Sequence, residues 1–227
     1  MLTPDHFFDL SKYAHRELFE GCNQVWQALG NIASYLKSQK LGRIEGTVMQ
    51  GAYLQNPELI SIGEGSVVEP GAYIKGPCII GKGCEVRQGA YIRGDVICGD
   101  SCIIGHATEM KNCILLYHAY AGHFAYVGDS ILGNFTNLGA GVKCANLRLK
   151  GDEVLIGYQG EKIPSGRRKL GAIVGDYCQI GCNAVLNPGT VLSKRVDCFP
   201  GLCVDGYIEE NSRVLSPVKP IIQTKKA

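Results

Sequence analysis

Every sixth residue from Ile62 is apolar: Ile62, Val68, Ile74, Ile80, Val86, Ile92, Cys98, Ile104 and Met110. The frame slips by one residue to Leu115, then continues through Ala121 and Val127. It slips once more to Leu132 and reaches Leu138. After an interruption it returns as Val174, Ile180, Leu186, Leu192, Cys198 and Val204. A chance apolar alternation loses phase within two or three turns. A period of six held through most of a chain requires a structure that itself repeats every six residues.

Such a structure is a hexapeptide β-helix. Each hexad supplies a short strand and a corner, and three hexads close one triangular coil of about eighteen residues. The apolar residue points inward and stacks on its counterpart one coil away. A glycine or small residue after it lets the backbone turn. The chain has 30 glycines among 227 residues, and their regular recurrence marks them as corners and not as linker. The period begins near residue 44.

The repeat also accounts for most of the cysteines. Cys78, Cys84, Cys102 and Cys178 lie four places after an inward residue, where a small side chain fits, and Cys98 and Cys198 occupy the inward phase itself. They read as small hydrophobes of a solenoid core. Cys98-x-x-x-Cys102 and Cys178-x-x-x-Cys182 lack zinc-knuckle spacing, so no metal site is assigned. The total of 11 is odd, and MLTPDHFFDL lacks the basic and apolar regions of a secretory signal, so reduced thiols in a cytoplasmic protein are expected. No apolar run reaches membrane-spanning length. A formal net charge of +2 is too small to make nucleic acid or an acidic membrane the main partner.

Two stretches depart from the period. Residues 1–40 read as a helical hairpin packed on the repeat. Thr3 and Pro4 suit a helix start, Phe7, Phe8, Leu10, Tyr13, Ala14 and Leu18 follow helical spacing, and Gly21 is the stop. Val25, Trp26, Leu29, Ile32 and Leu36 line the second helix. Residues 147–170, LRLKGDEVLIGYQGEKIPSGRRKL, form a charged, glycine-bearing insertion, either functional or an arm against a neighbouring subunit. Residues 41–227 make the β-helix domain around it, and the chain after about residue 210, with Lys225 and Lys226, reads as a short cap or tail.

Between Arg93 and Asn146 the hexads carry polar residues that the repeat does not require: Arg93, Glu109, Lys111, His123, Tyr126, Asn137 and Asn146. Arg93 and Lys111 are 18 residues apart and are expected to stack on one face in adjacent coils. Two stacked cations outside a prism suit a phosphate; as bare surface charges they would need no explanation.

The run GHATEMKNCILLYHAYAGHFAYVGDSILGNFTNLGAGVKCAN, residues 105–146, resembles the acetyltransferase half of the bifunctional UDP-N-acetylglucosamine pyrophosphorylase/glucosamine-1-phosphate N-acetyltransferases. The shared pattern is E-x-K, then A-G-H-x-x-Y-x-G-D, then N-x-G-A-G and an asparagine, with both slips in the same places. SGRRKLGAIVGD at 165–176 is similar to the archaeal-type sugar-phosphate nucleotidylyltransferase/acetyltransferases, and the similarity covers about residues 85–195. The resemblance implies a left-handed parallel β-helix assembled as a homotrimer, with its active site between neighbouring prisms. It implies acetyl transfer from acetyl-CoA to the amine of an amino-sugar phosphate, without a metal. His123 matches the general base, Arg93 and Lys111 the phosphate clamp, Tyr126 and Asn137 the residues that hold the sugar, and Asn146 the asparagine beside the thioester. Ala140 and Cys182 match positions along the coenzyme A arm. Arg167, Arg168 and Lys169 are assigned to coenzyme A phosphates from their charge alone.

These residue types suit the reaction. An ammonium cannot attack a thioester, so a base must first remove a proton, and imidazole titrates near neutral pH. The tetrahedral oxyanion needs a donor, such as a backbone N–H or the Asn146 amide. The chain departs from the bacterial pattern after Asn146, where Leu147-Arg148-Leu149 replaces a tyrosine-aspartate-glycine run, and it shows no Gly-rich phosphate loop ahead of the repeat. Two rival readings remain. His118 and His123 resemble the paired histidines of γ-class carbonic anhydrases, although Lys82 stands where that family needs a further histidine. The other is a non-catalytic β-helix scaffold.

Overall fold

A computed structural model describes residues 2–216. It is a three-sided parallel β-helix of about nine coils, the left-handed β-helix fold that the resemblance implies. The three faces hold nine, eight and eight strands, and every neighbouring pair within them is parallel. The first face runs from Thr47–Val48 through Tyr120–His123 to Arg213–Val214. The second runs from Tyr53–Gln55 through Glu109–Lys111 and Tyr126–Gly128 to Cys203–Val204. The third runs from Ile60–Ile62 through Ile131–Leu132 to Tyr207–Ile208.

Every inward residue read from the period, Ile62 to Val204, lies in one buried core cluster that fills the prism. Cys78, Cys84, Cys98, Cys102, Cys178 and Cys198 join it, as do Cys113 and Cys144. Burial pushes the Cys144 thiol up to about 12, which keeps it protonated and inert. Coiling continues to Arg213–Val214, beyond the expected start of a tail. Lys225 and Lys226 lie outside the described residues.

The two frame slips occur at corners. Asn112 and Asp129 take left-handed backbone there, with φ of 44° and 48°, where the chain turns from the second face to the third with one residue fewer than at the corner of Gly94 and Asp95. Asparagine and aspartate tolerate this region better than other non-glycine residues.

The N-terminal segment differs from the expected hairpin of two helices. One α-helix of some length forms, Ala28–Ser38, preceded by the single turns Pro4–Phe7, Arg16–Phe19 and Val25–Gln27. Tertiary packing overrides the helical spacing of Phe8, Tyr13 and Leu18: all three are buried, Phe8 and Tyr13 from irregular backbone and Leu18 from the single turn Arg16–Phe19. Val25, Trp26, Leu29, Ile32 and Leu36 are buried as expected. The segment covers the outside of the third face, where Ile97, Ile114, Ile131, Ile173 and Val191 point away from the prism and into a second core cluster. Asp176 pins it. Its carboxylate accepts from the backbone N–H of Asp9 at 2.7 Å and from the Asn134 backbone and amide at 2.7 and 2.9 Å.

The insertion completes that layer. Leu155–Tyr158 and Glu161–Pro164 form an antiparallel hairpin, and Val154, Ile156 and Leu170 enter the same cluster as the N-terminal segment. The Trp26 indole N–H donates to the Ser165 carbonyl at 3.2 Å. Within this chain the arm therefore buttresses its own N-terminal segment.

Candidate active site

His123 ends its strand where the first face turns into the second, and its side chain is exposed. A close approach of two coils puts it there. A Cβ on Gly105 would stand 1.7 Å from the Gly122 carbonyl oxygen, so only glycine lets the strand carrying His123 pass its neighbour. The His123 ring forms no hydrogen bond or ion pair among the described residues. His106 is its register partner one coil earlier, and Phe124, 55% exposed, flanks it.

The same corner continues coil by coil. The Gly141 N–H donates to the His123 carbonyl, Asn183 N–H to the Ala140 carbonyl, and Gly201 N–H to the Cys182 carbonyl. Ala140 and Cys182 thus follow His123 in one column, and Cys182 is exposed. Asn137 lies on the first face, exposed, beside Tyr120 and Gln179 in register.

The remaining candidates gather at the far edge of the second face. Met110 pairs with Ile92, so Lys111 stacks on Arg93 as the spacing requires. The two cations are not bare. Arg93 donates to Glu109 at 2.7 Å, and this pair is largely exposed. Lys111 Nζ donates to Asp129 Oδ2 at 3.0 Å. Asp129 is only 3% exposed and also accepts from the Asn112 amide at 2.8 Å and from the Asn146 amide. Arg167 of the insertion reaches its other oxygen at 3.9 Å. Asp129 is therefore the hub that gathers Lys111, Asn146 and Arg167.

Tyr126 opens the strand between the two edges. A Cβ on Gly128 would stand 2.5 Å from the Tyr126 hydroxyl and 2.8 Å from the Asn146 amide nitrogen, so glycine makes the space in which they meet. Burial and the nearby carboxylates of Glu109 and Asp129 raise the Tyr126 phenol, against the opposing Asn146 hydrogen bond and Arg93 charge. It stays a protonated donor at neutral pH.

Arg168 and Lys169 do not join this cluster. Arg168 donates to the Gly151 carbonyl at 2.9 Å, and Lys169 offers its own carbonyl to Arg167 at 3.2 Å. His118 lies at the preceding corner, its ring 2.8 Å from the Tyr120 hydroxyl. Among the described residues no three His, Cys, Asp or Glu side chains converge as a cation site. Spacing singles out Glu109 as a polar residue without a role and does not single out Asp129, whose signal is its place at the second slip, in the G-D that closes A-G-H-x-x-Y-x-G-D.

Residues 74–161 match the family described as GMPPB C-terminal domain. The chain is 36% identical over 176 residues to a bifunctional sugar-1-phosphate nucleotidylyltransferase/acetyltransferase of Sulfurisphaera tokodaii, covering 76% of this chain and 42% of that protein. It is 32% identical over 202 residues to the bifunctional protein GlmU of Methanococcus maripaludis, covering 89% of this chain and 47% of that protein. The chain thus spans less than half the length of these curated relatives. A solved UDP-N-acetylglucosamine acyltransferase of Francisella novicida matches with a TM-score of 0.43 at 15% identity, over 75% of this chain and 59% of that one. No helix among the described residues is long and apolar enough to cross a membrane. By sequence, the chain is similar over most of its length to part of the bifunctional sugar-1-phosphate nucleotidylyltransferase/acetyltransferases.

Proposed function

We propose that this chain is an acyltransferase that moves an acetyl group from acetyl-CoA to the amine of an amino-sugar phosphate. The observation that carries the reading is the placement of an unpartnered, exposed imidazole at one edge of the second face. Tyr126 spans that face toward Lys111, Asp129 and Asn146 at the other edge.

His123 takes a proton from the acceptor ammonium, and the freed amine attacks the thioester carbonyl. The attacking nitrogen gives up its remaining extra proton to solvent, the oxyanion collapses, the C–S bond breaks, and the departing coenzyme A thiolate takes the proton held by His123. Asn146 stands beside the thioester, while Tyr126 and Asn137 orient the sugar. Lys111 uses one of its three donors on Asp129 and Arg93 part of its fork on Glu109, so both keep donors for a phosphate. Ala140 and Cys182 flank the acyl-carrying arm along the His123 column. Exposed Arg168 and Lys169, with Arg167, supply positive charge for the coenzyme A phosphates.

A homotrimer fits this layout. The third face is covered by the N-terminal segment and the hairpin, which leaves the first and second faces, and the His123 corner between them, for neighbouring chains. A partner's edge would then complete the cleft at His123. Eleven free cysteines, eight of them buried, suit the reducing cytoplasm.

The test is thiol release from acetyl-CoA across a panel of amino-sugar phosphates. We expect release with at least one such acceptor and a loss of about 10²–10⁴-fold in His123→Ala. Release with none of them, or an undiminished rate in the variant, overturns the reading.

A further inference from the structure

We propose a second anion site on this chain, built by the insertion hairpin, that takes the phosphates of a nucleotide. A cavity of about 510 Å³ opens between the hairpin and the corner where the second face turns into the third. Its lining includes Arg148, Lys150 and Lys162 against the single carboxylate of Asp205. Its position is distinct from the His123 corner: it lies on the corner that carries Lys111 and Asp129, in later coils at Asn187-Pro188 and Asp205-Gly206.

The two ammonium charges are not spent internally. Arg148 is held by Asp152 at 3.4 Å and by the Glu153 carbonyl at 2.9 Å, which fixes it at the cavity. Lys150 and Lys162 form no ion pair among the described residues. Asp205 turns one oxygen onto the Gly206 N–H at 2.9 Å. The site therefore has two uncommitted ammonium groups and one fixed guanidinium, a set that calls for a multiply charged anion.

The rest of the lining selects its size and character. The volume falls in the range of small-molecule sites, several times what an inorganic phosphate fills. Leu149, Leu155 and Pro188 give an apolar wall for a flat base, and Leu149 is fully exposed. The Asn187 side-chain amide makes no hydrogen bond among the described residues and is free to read a base edge. Cations, an apolar wall and a free amide together describe a nucleoside diphosphate. A free nucleotide and the 3′-phospho-ADP end of coenzyme A share that chemistry.

Titration calorimetry on the full chain tests this without requiring turnover, so it fails or succeeds independently of the acyl-transfer reading. The probes are ADP, adenosine 3′,5′-bisphosphate and inorganic phosphate. The chains are the parent, Lys150→Ala/Lys162→Ala, and Lys37→Ala as a cation removed from the distant helix. We expect ADP or the bisphosphate to bind the parent and Lys37→Ala equally, inorganic phosphate at least tenfold more weakly, and the double variant to lose tenfold or more. Both lysines are exposed, and a thermal melt of the double variant confirms its fold. Competition by acetyl-CoA assigns the site to the coenzyme; its absence assigns it to a separate nucleotide. No binding of either nucleotide to the parent, or equal affinity in the double variant, overturns the proposal.

Discussion

Lys111 reaches across one coil to a carboxylate that the fold has almost wholly buried: its Nζ donates to Asp129 Oδ2 at 3.0 Å, and the two side chains are 22% and 5% exposed. Asp129 occupies left-handed backbone, which asparagine adopts as readily, so Asp129→Asn removes the charge and spares the turn. The variant leaves Lys111 without its counter-ion. We expect a loss of about 2 kcal/mol in urea unfolding, less than a fully buried pair would cost. The Michaelis constant for the sugar phosphate should rise more than that for acetyl-CoA, because Lys111 and Asn146 lose their common anchor. Equal changes in both constants would contradict the assigned geometry.

Arg93 separates binding from stability more cleanly. Its pair with Glu109 is surface-exposed, so Arg93→Ala should shift stability by no more than about 0.5 kcal/mol. If its guanidinium also grips the phosphate, losing a charge-assisted bond of about 1.5–3 kcal/mol raises the Michaelis constant for the sugar phosphate roughly 10- to 100-fold. Lysine at this position restores the charge but not the planar fork, so recovery is partial. Steady-state kinetics beside a denaturation curve read both quantities.

Gly128 offers a test of the site that leaves the coil alone. Its added Cβ would first meet the Tyr126 hydroxyl at 2.5 Å and the Asn146 amide at 2.8 Å, both ends of side chains that can move. Gly128→Ala should therefore keep its melting temperature within a few degrees while the turnover number falls at least tenfold, because Tyr126 and Asn146 no longer meet. Unchanged turnover would remove both residues from the assigned chemistry.

The prism was legible in the sequence because its cause is local and repeated: one inward apolar residue per hexad, from Ile62 to Val204, each stacking on the next coil. The Arg93–Lys111 stack followed from the same period. Asp129 was not legible by those means. Its role arises where three separate segments, carrying Lys111, Asn146 and Arg167, converge on one buried oxygen pair, and no spacing encodes that convergence. The N-terminal segment failed in a different way. Phe8, Tyr13 and Leu18 have helical spacing, but the surface they cover is the outer row Ile97, Ile114 and Ile131, which rewards burial from whatever backbone path reaches it. The signal for that outer row is the second apolar residue that precedes the inward one on the third face from Ile79 to Val191, a pattern that the inward period by itself does not carry.

His15 gives the N-terminal segment a dependence on pH. Its Nδ1 lies 2.8 Å from the Tyr35 hydroxyl, and burial holds its ring below the ordinary histidine value of 6.5, with only a minor opposing pull from Asp100. The unfolded chain thus takes up a proton at a pH where the folded chain still refuses it. Stability from this group is fully present above pH 6.5 and is lost as pH falls from there through the depressed folded value, below which both states are protonated. His15→Gln keeps a partner for the Tyr35 hydroxyl and removes the titration. In urea unfolding across a pH series, the parent should lose stability relative to the variant as pH drops below 6.5, and the difference should be flat above it. A parent-minus-variant difference that is level through the acid range would mean that the ring is not held neutral in the folded chain.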